Sequence, residues 1–342
     1  MKKYAVLVFL SAILAFTSLG QEASAASRFK DVPSTYWASK QIEYLSAKGI
    51  ISGYNNGAFG LHDKVTRAQV AIIMSRALKL KTTNVADPGF GDVKKNFYAY
   101  KEIAAVTNAG IFPKSSRFEP NRAMTRGEMA LALVKAFKLS GSYSGPIYDI
   151  NQNTALFRAV DVMAANKITT IDERGRYLPN QQLTRVQFSV FLARAMDPKF
   201  RQLAVQRDFL AKAKNGQVGT CSIPYHHTKT IKMVNKKLGQ PRDEFYWAGG
   251  FGQHYGGCIY YFEDDINPNA KMTAIEYLPY DPDLTLAKAQ QVLGKPNAEW
   301  YDDIDGDGWT IYYDLGRYGV MMSAYEKHEP ISIITFIGSS WF

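Results

Sequence analysis

After residue 25 no stretch approaches the roughly 18 consecutive apolar residues that a membrane-spanning helix needs, so no transmembrane segment is expected. Cysteine is almost missing. Cys221 and Cys258 are the only two, and none lies in the leader, which argues against a lipid-modified cysteine anchor. An exported pair can form a disulfide, although their spacing does not show that they meet. G-x-S-x-G, H-E-x-x-H and the phosphate-binding P-loop pattern do not occur. These absences remove the sequence signatures of several hydrolase and nucleotide-binding classes. His226 and His227 are adjacent, so they cannot share one helical face. They read as loop residues after Pro224 rather than as metal ligands.

What is present begins with an export leader over residues 1–25. Lys2 and Lys3 form its charged start, Tyr4 to Leu19 its apolar run, and Ala23-Ser24-Ala25 its cleavage site. The mature chain is therefore expected to be soluble and secreted. With 46% hydrophobic and 21% charged residues among 342, it can bury cores. Its net charge of +10 is unevenly spread. Residues 199–342 hold 15 Lys+Arg against 17 Asp+Glu, so the excess lies in the first half. That half should favour an anionic partner, and for an exported chain no nucleic acid is expected.

Residues 26–198 contain a threefold repetition. Thr66-Arg67-Ala68-Gln69, Thr125-Arg126-Gly127-Glu128 and Thr184-Arg185-Val186-Gln187 recur at an interval of 59 residues. Upstream of each stands an aspartate in an apolar frame, at Asp31, Asp92 and Asp149. Ala38, Ile42 and Leu45 are spaced for one helical face, as are Ala99, Ile103 and Val106, and Leu156, Val160 and Met163. Gly49 and Gly110 stand where a left-handed residue would end that helix. A second helix follows each Thr-Arg motif. The units span about 29–80, 90–139 and 147–196, and none can cover its own apolar stripe. They are expected to pack into one all-α domain with approximate threefold symmetry.

Within the motif, Thr and Gln or Glu form a capping box. Arg is not explained this way, because at the first helical position it sits beside the positive end of the dipole, which costs a few tenths of a kcal/mol. Two readings remain open. Free helix amides and a forked guanidinium could bind a carboxylate or phosphate, or the arginine could bridge to an acid of a neighbouring repeat.

With Phe29, Asp31, Val32, Trp37, Ala38, Gly49, Ile50, Gly53, Tyr54, Phe59, Thr66, Arg67 and Ala68 in place, repeat 1 resembles the S-layer homology (SLH) domain. The resemblance covers residues 29–195 in three copies. It implies non-covalent attachment to a secondary cell wall polysaccharide, often pyruvylated, in a Gram-positive envelope, hence a cell-surface location. It also implies grooves between adjacent repeats where the motif arginine meets the acidic group. Matched candidates are Asp31, Trp37, Tyr54 and Arg67, then Asp92, Tyr98 and Arg126, then Arg185. The aromatic of repeats 1 and 2 becomes Ala155 in repeat 3, and Lys167 replaces the helix-ending glycine. Trp37 and Tyr98 read either as sugar-stacking surfaces or as core aromatics, and the aspartates either as ligands or as caps. Repeat 1 is expected to contribute to the best groove, with Arg67 mattering more than Arg185.

Asp197-Pro198 ends the last repeat, and Arg201 to Lys214 reads as a further helix. Residues 199–342 then turn to strands. Leu238-Gly239-Gln240-Pro241 and Leu293-Gly294-Lys295-Pro296 end two short helices, and Glu244-Phe245-Tyr246 parallels Glu299-Trp300-Tyr301. Strands are expected at 258–262, 272–278, 309–314, 319–325 and 331–337. Helix then meander, twice, predicts an α+β domain with one broad antiparallel sheet. The order is similar to the tandem helix–sheet units of the beta-lactamase inhibitor protein, which implies a protein- or ligand-binding sheet and no enzyme. A wall or glycan hydrolase on the same anchor is the alternative, with Asp264, Asp265, Glu276 and Glu299 as candidate carboxylates. An S-layer lattice subunit is a third. Asp303, Asp305, Asp307 and Asp314 have calcium-loop spacing, so either a Ca2+ site or an Asp/Gly-rich hairpin turn is expected there. No other cofactor is implied.

Overall fold

Each Thr of the three motifs opens a helix. The hydroxyls of Thr66, Thr125 and Thr184 accept the amides of Gln69, Glu128 and Gln187, whose side chains return to the threonine amides. The computed structural model describes residues 28–247, 250–265, 267–302 and 308–338. The export leader lies outside them. Helices α2 (Arg67–Ala77), α4 (Arg126–Phe137) and α6 (Arg185–Met196) follow these caps. Each is preceded in its repeat by a shorter helix, α1 (Ser39–Ala47), α3 (Tyr100–Asn108) or α5 (Ala155–Ala165). Gly49 and Gly110 take positive φ just beyond α1 and α3 as expected. The apolar faces named above enter one shared core.

That core closes across repeat boundaries. Helix α2 packs on α3, α4 on α5, and α6 returns to α1. The segments before the second helices also form a ring of backbone hydrogen bonds. Val65 N–H donates to Leu183 O at 3.1 Å, Met124 N–H to Val65 O at 2.9 Å, and Leu183 N–H to Met124 O at 2.9 Å. Val65, Met124 and Leu183 are fully buried, so these bonds have no water to compete with them.

A second core begins at Val205 and runs to Phe336. The helix expected over 201–214 is shorter, with α7 at Phe209–Ala213 after a 3-10 turn at Pro198–Phe200. Tertiary contacts override propensity there: Asp281 Oδ2 accepts the Ala204 amide at 2.8 Å, and Val205 is buried. Helices α8 (Ile231–Leu238) and α9 (Leu286–Leu293) are Thr-capped and end at Gly239 and Gly294, both with positive φ. Each precedes a four-stranded meander. The first is β1 (Asp243–Trp247), β2 (Gly250–His254), β3 (Cys258–Phe262) and β4 (Met272–Tyr277). The second is β5 (Ala298–Asp302), β6 (Gly308–Asp314), β7 (Tyr318–Ala324) and β8 (Ile333–Gly338). The two join through β4 and β8 into one antiparallel sheet, ordered β1-β2-β3-β4-β8-β7-β6-β5. Cys221 and Cys258 form a disulfide that ties the preceding loop to β3.

The two cores meet at repeat 3. Lys167 Nζ lies 2.6 Å from both Asp281 Oδ1 and Asp283 Oδ2. The buried Glu173 carboxylate accepts the Ser222 amide and the Tyr260 hydroxyl, each at 2.8 Å. Burial, then the Glu173 charge, pushes that phenol far above its ordinary range. Lys167 adopts φ +55, which costs an L-residue about 1–2 kcal/mol. Its two carboxylate partners offset that cost. Lys167 and Glu173, in the part of repeat 3 that departs from the other copies, thus dock the second domain.

Candidate functional site

The motif arginines do not point back into their own repeats. Arg67 Nε donates to Phe118 O at 2.7 Å, and its guanidinium lies 4.7 Å from the Phe118 ring and 5.3 Å from that of Phe112. Arg126 Nε donates to Tyr177 O at 2.9 Å, 4.5 Å over that ring. Arg185 Nε donates to Phe59 O, and its second nitrogen to Ser52 O, both at 2.9 Å. Its guanidinium lies 4.9 Å from the rings of Tyr54 and Phe59. Each arginine therefore enters the next repeat's loop, and repeat 3 closes on repeat 1. Tyr54 and Arg67, candidates from the same repeat, are therefore not brought together: Tyr54 lies with Arg185.

The aspartates shape the same loops. Asp31 accepts the amides of Phe59 and Gly60 at 2.6 and 2.8 Å. Asp92 accepts those of Phe118 and Glu119, both at 2.8 Å. Asp149 accepts those of Tyr177 and Leu178 at 2.8 and 2.7 Å. Burial pushes the Asp31 and Asp92 carboxyls up, but the donated amides outweigh it and hold both below the ordinary range. Each aspartate thus presents the carbonyl that its arginine meets. Gly60 completes the first loop: with φ +80, a Cβ there would stand 2.5 Å from the Tyr54 ring.

The idea of free helix amides is also corrected. Arg67 and Ala68 amides donate to Arg122 O and Pro120 O, at 3.0 and 2.9 Å. Arg126 and Gly127 amides donate to Gln181 O and Pro179 O, at 2.9 and 2.8 Å, and the Arg185 amide to Asp63 O at 2.8 Å. The neighbouring repeat takes up these five donors, so at α2 and α4 the guanidinium is left as the group able to meet an anion.

The three arginines differ in charge balance. Arg67 is ion-paired with Glu128 at 2.6 Å, and Glu128 also binds Arg122. Burial lowers Arg67, while Glu128 partly restores it. Arg126 is lowered by burial too, and meets only neutral oxygens, of Tyr177, Thr169 and Thr170. Arg185 is 7% exposed. Among the described residues neither Arg126 nor Arg185 has an ion-pair partner within 4.0 Å. Trp37 and Tyr98 are 61% and 64% exposed, so they are not core aromatics. Sequence reasoning could not find the partner carbonyls of Phe59, Phe118 and Tyr177, because nothing in a carbonyl's residue type marks it.

The other candidates separate. Positions 6 to 12 of the calcium pattern form extended strand β6, so Asp314 lies roughly 20 Å along the chain from Gly308 and does not fold back to complete a calcium loop. Asp303, Asp305 and Asp307 are outside the described residues. Glu276 on β4 and Glu299 on β5 stand four strands apart, roughly 19 Å, too far for a glycosidase pair. Glu276 also lies opposite Ile259, at the other end of β3 from Asp264 and Asp265. Among the described residues no helix is long and apolar enough to cross a membrane.

A model of the S-layer homology domain matches residues 28–71 and 89–130. The chain is 30% identical over 180 residues to S-layer protein EA1 of Bacillus anthracis, which is 50% of this chain and 20% of that protein. It is 38% identical over 78 residues to a cellulosome-anchoring protein of Acetivibrio thermocellus, 23% of this chain and 17% of that one. A solved DUF4309 family protein from Bacillus subtilis is similar at 16% identity and a TM-score of 0.34, covering 40% of this chain and 98% of that chain. The chain spans about a fifth of the length of the S-layer protein it matches. The third repeat lies outside the matched residues but makes the same cap, aspartate and arginine contacts. Residues 28–71 and 89–130 are S-layer homology domains.

Proposed function

We propose that residues 28–196 hold an exported protein on the cell surface by non-covalent binding to an anionic, pyruvylated secondary cell wall polysaccharide. Three SLH units about an approximate threefold axis would present three unequal grooves. The observation that carries this reading is Arg185, buried against Tyr54 and Phe59 with carbonyl partners and no carboxylate in ion-pair range among the described residues. Burying a cation beside neutral partners leaves a desolvation cost that carbonyls and ring faces offset only in part. An acidic substituent arriving at the guanidinium recovers that cost, and aromatic walls suit the sugar bearing it. A relative named as a cellulosome-anchoring protein fits an anchoring role. Residues 199–342 then serve as a displayed protein- or ligand-binding module.

The test is co-sedimentation of the mature chain with purified Gram-positive walls carrying a pyruvylated polymer. Native walls should pellet the protein, and walls stripped of that polymer by hydrofluoric acid should leave it in solution. Equal pelleting on both would reject the polymer as ligand.

A further inference from the structure

A second groove, of about 1050 Å³, lies away from the motif arginines. Its walls come from the start of α1, from residues 199–212 and from Val292 of α9. It therefore exists only because the second domain folds back beside repeat 1. Five cations line it, Lys40, Lys199, Arg201, Arg207 and Lys212, against one carboxylate, Asp208. Lys199 is paired with Asp197, and Lys212 with Asp208. Among the described residues the Arg201 guanidinium donates to neutral oxygens, of Arg194 and Asn166. Lys40 and Arg207 are exposed and have no ion pair among the described residues. Converging cations of this kind focus a positive potential into a cleft.

Two further features point to a hydroxyl-bearing ligand. Trp37 lines the groove and is 61% exposed. Gln41 also borders it, is 7% exposed, and its buried Oε1 has no hydrogen-bond partner among the described residues. An unused buried acceptor costs about 1–3 kcal/mol. The terminal amide torsion is soft, so a small rotation offers that oxygen to a donor. A sugar hydroxyl donates, an aromatic face accepts a sugar ring, and an acidic substituent meets the cations. The volume exceeds the upper end of ordinary small-molecule sites and suits several linked sugars.

We infer that this groove between repeat 1, the 199–212 segment and α9 binds a segment of anionic glycan as a second subsite, separate from the motif arginines. The inference rests on the reading that the exported chain meets wall polysaccharide. It has its own probe: a galacturonate hexamer titrated into the mature chain at low salt, read by calorimetry and by the fluorescence difference between wild type and Trp37→Phe. Binding should quench the Trp37 signal. Lys40→Glu with Arg207→Glu, both at exposed positions, should weaken binding at least ~10-fold with an unchanged melting temperature. Lys101→Glu with Lys135→Glu, the same charge change at exposed positions outside the groove, should change it by less than ~3-fold. No heat with the hexamer, or equal affinity in the charge-reversed variant, overturns the groove. Equal affinity for a neutral N-acetylglucosamine hexamer or a short thymidylate oligomer overturns the anionic-glycan assignment. A failure of wall retention in Arg126→Ala/Arg185→Ala tests the anchoring reading alone.

Discussion

The guanidinium of Arg185, in the third repeat, lies 4.9 Å from the ring of Tyr54, in the first. The repeats therefore do not form an open row: the last arginine closes on the first loop. Closure makes the charge state of each groove a property of two repeats, and it sets which substitutions matter.

Arg185→Ala should weaken binding to native walls more than Arg67→Ala. Arg67 already has a carboxylate partner in Glu128, whereas among the described residues Arg185 meets carbonyls and aromatic rings and no carboxylate within 4.0 Å. The order is the reverse of the one that repeat 1's fuller motif suggests. Arg67→Ala should instead lower stability by about 1–3 kcal/mol, through lost hydrogen bonds and a perturbed ion pair. Wall-binding isotherms and urea unfolding of the two variants separate these effects, and equal loss of binding would contradict them.

Thr66→Ala, Thr125→Ala and Thr184→Ala should each cost about 1 kcal/mol. Each threonine accepts the N3 amide in a complete capping box. Unfolding free energies should fall similarly for the three, and a variant with no loss would show that its cap is redundant.

Much of the first domain was legible because caps, apolar spacing and the 59-residue interval are local signals. The pairing of Arg185 with Tyr54 was not, since an interval repeated twice cannot say whether a chain closes. In the second domain, β3, β4 and β6 to β8 read from their runs of apolar and aromatic residues. β1, β2 and β5 did not: β2 carries two glycines, and β1 and β5 are edge strands with acidic residues. The overlong helix at 201–214 failed for another reason, because Asp281, far along the chain, captures the Ala204 amide. Lys167 looked like decay of the repeat pattern, and with Glu173 it makes docking contacts to the second domain.

Acid should loosen the repeat loops. The carboxyls of Asp31 and Asp92 are held below the ordinary 3.8 in the folded chain. Their contribution is therefore complete above that unfolded value and is lost as pH falls through the lower folded value. Melting temperature should decline below about pH 4. Asp31→Asn with Asp92→Asn should be less stable at neutral pH and show a shallower acid decline. An unchanged acid limb would place the titration elsewhere.

Removing the Cys221–Cys258 disulfide, which closes a separation of 37 residues, should destabilise the second domain by about 2–4 kcal/mol. Cys221→Ser with Cys258→Ser should lower its melting transition and leave wall retention through the motif arginines intact. Loss of wall retention at a temperature where the first domain remains folded would show that the anchor depends on the second domain.

The most direct measurement is wall retention of the double variant Arg126→Ala/Arg185→Ala beside wild type, on native walls at physiological salt and with folding verified by circular dichroism. Both arginines are cations with neutral hydrogen-bond partners. The double variant should remain in the supernatant while wild type pellets. Undiminished pelleting of a folded double variant would contradict anion capture by the motif arginines.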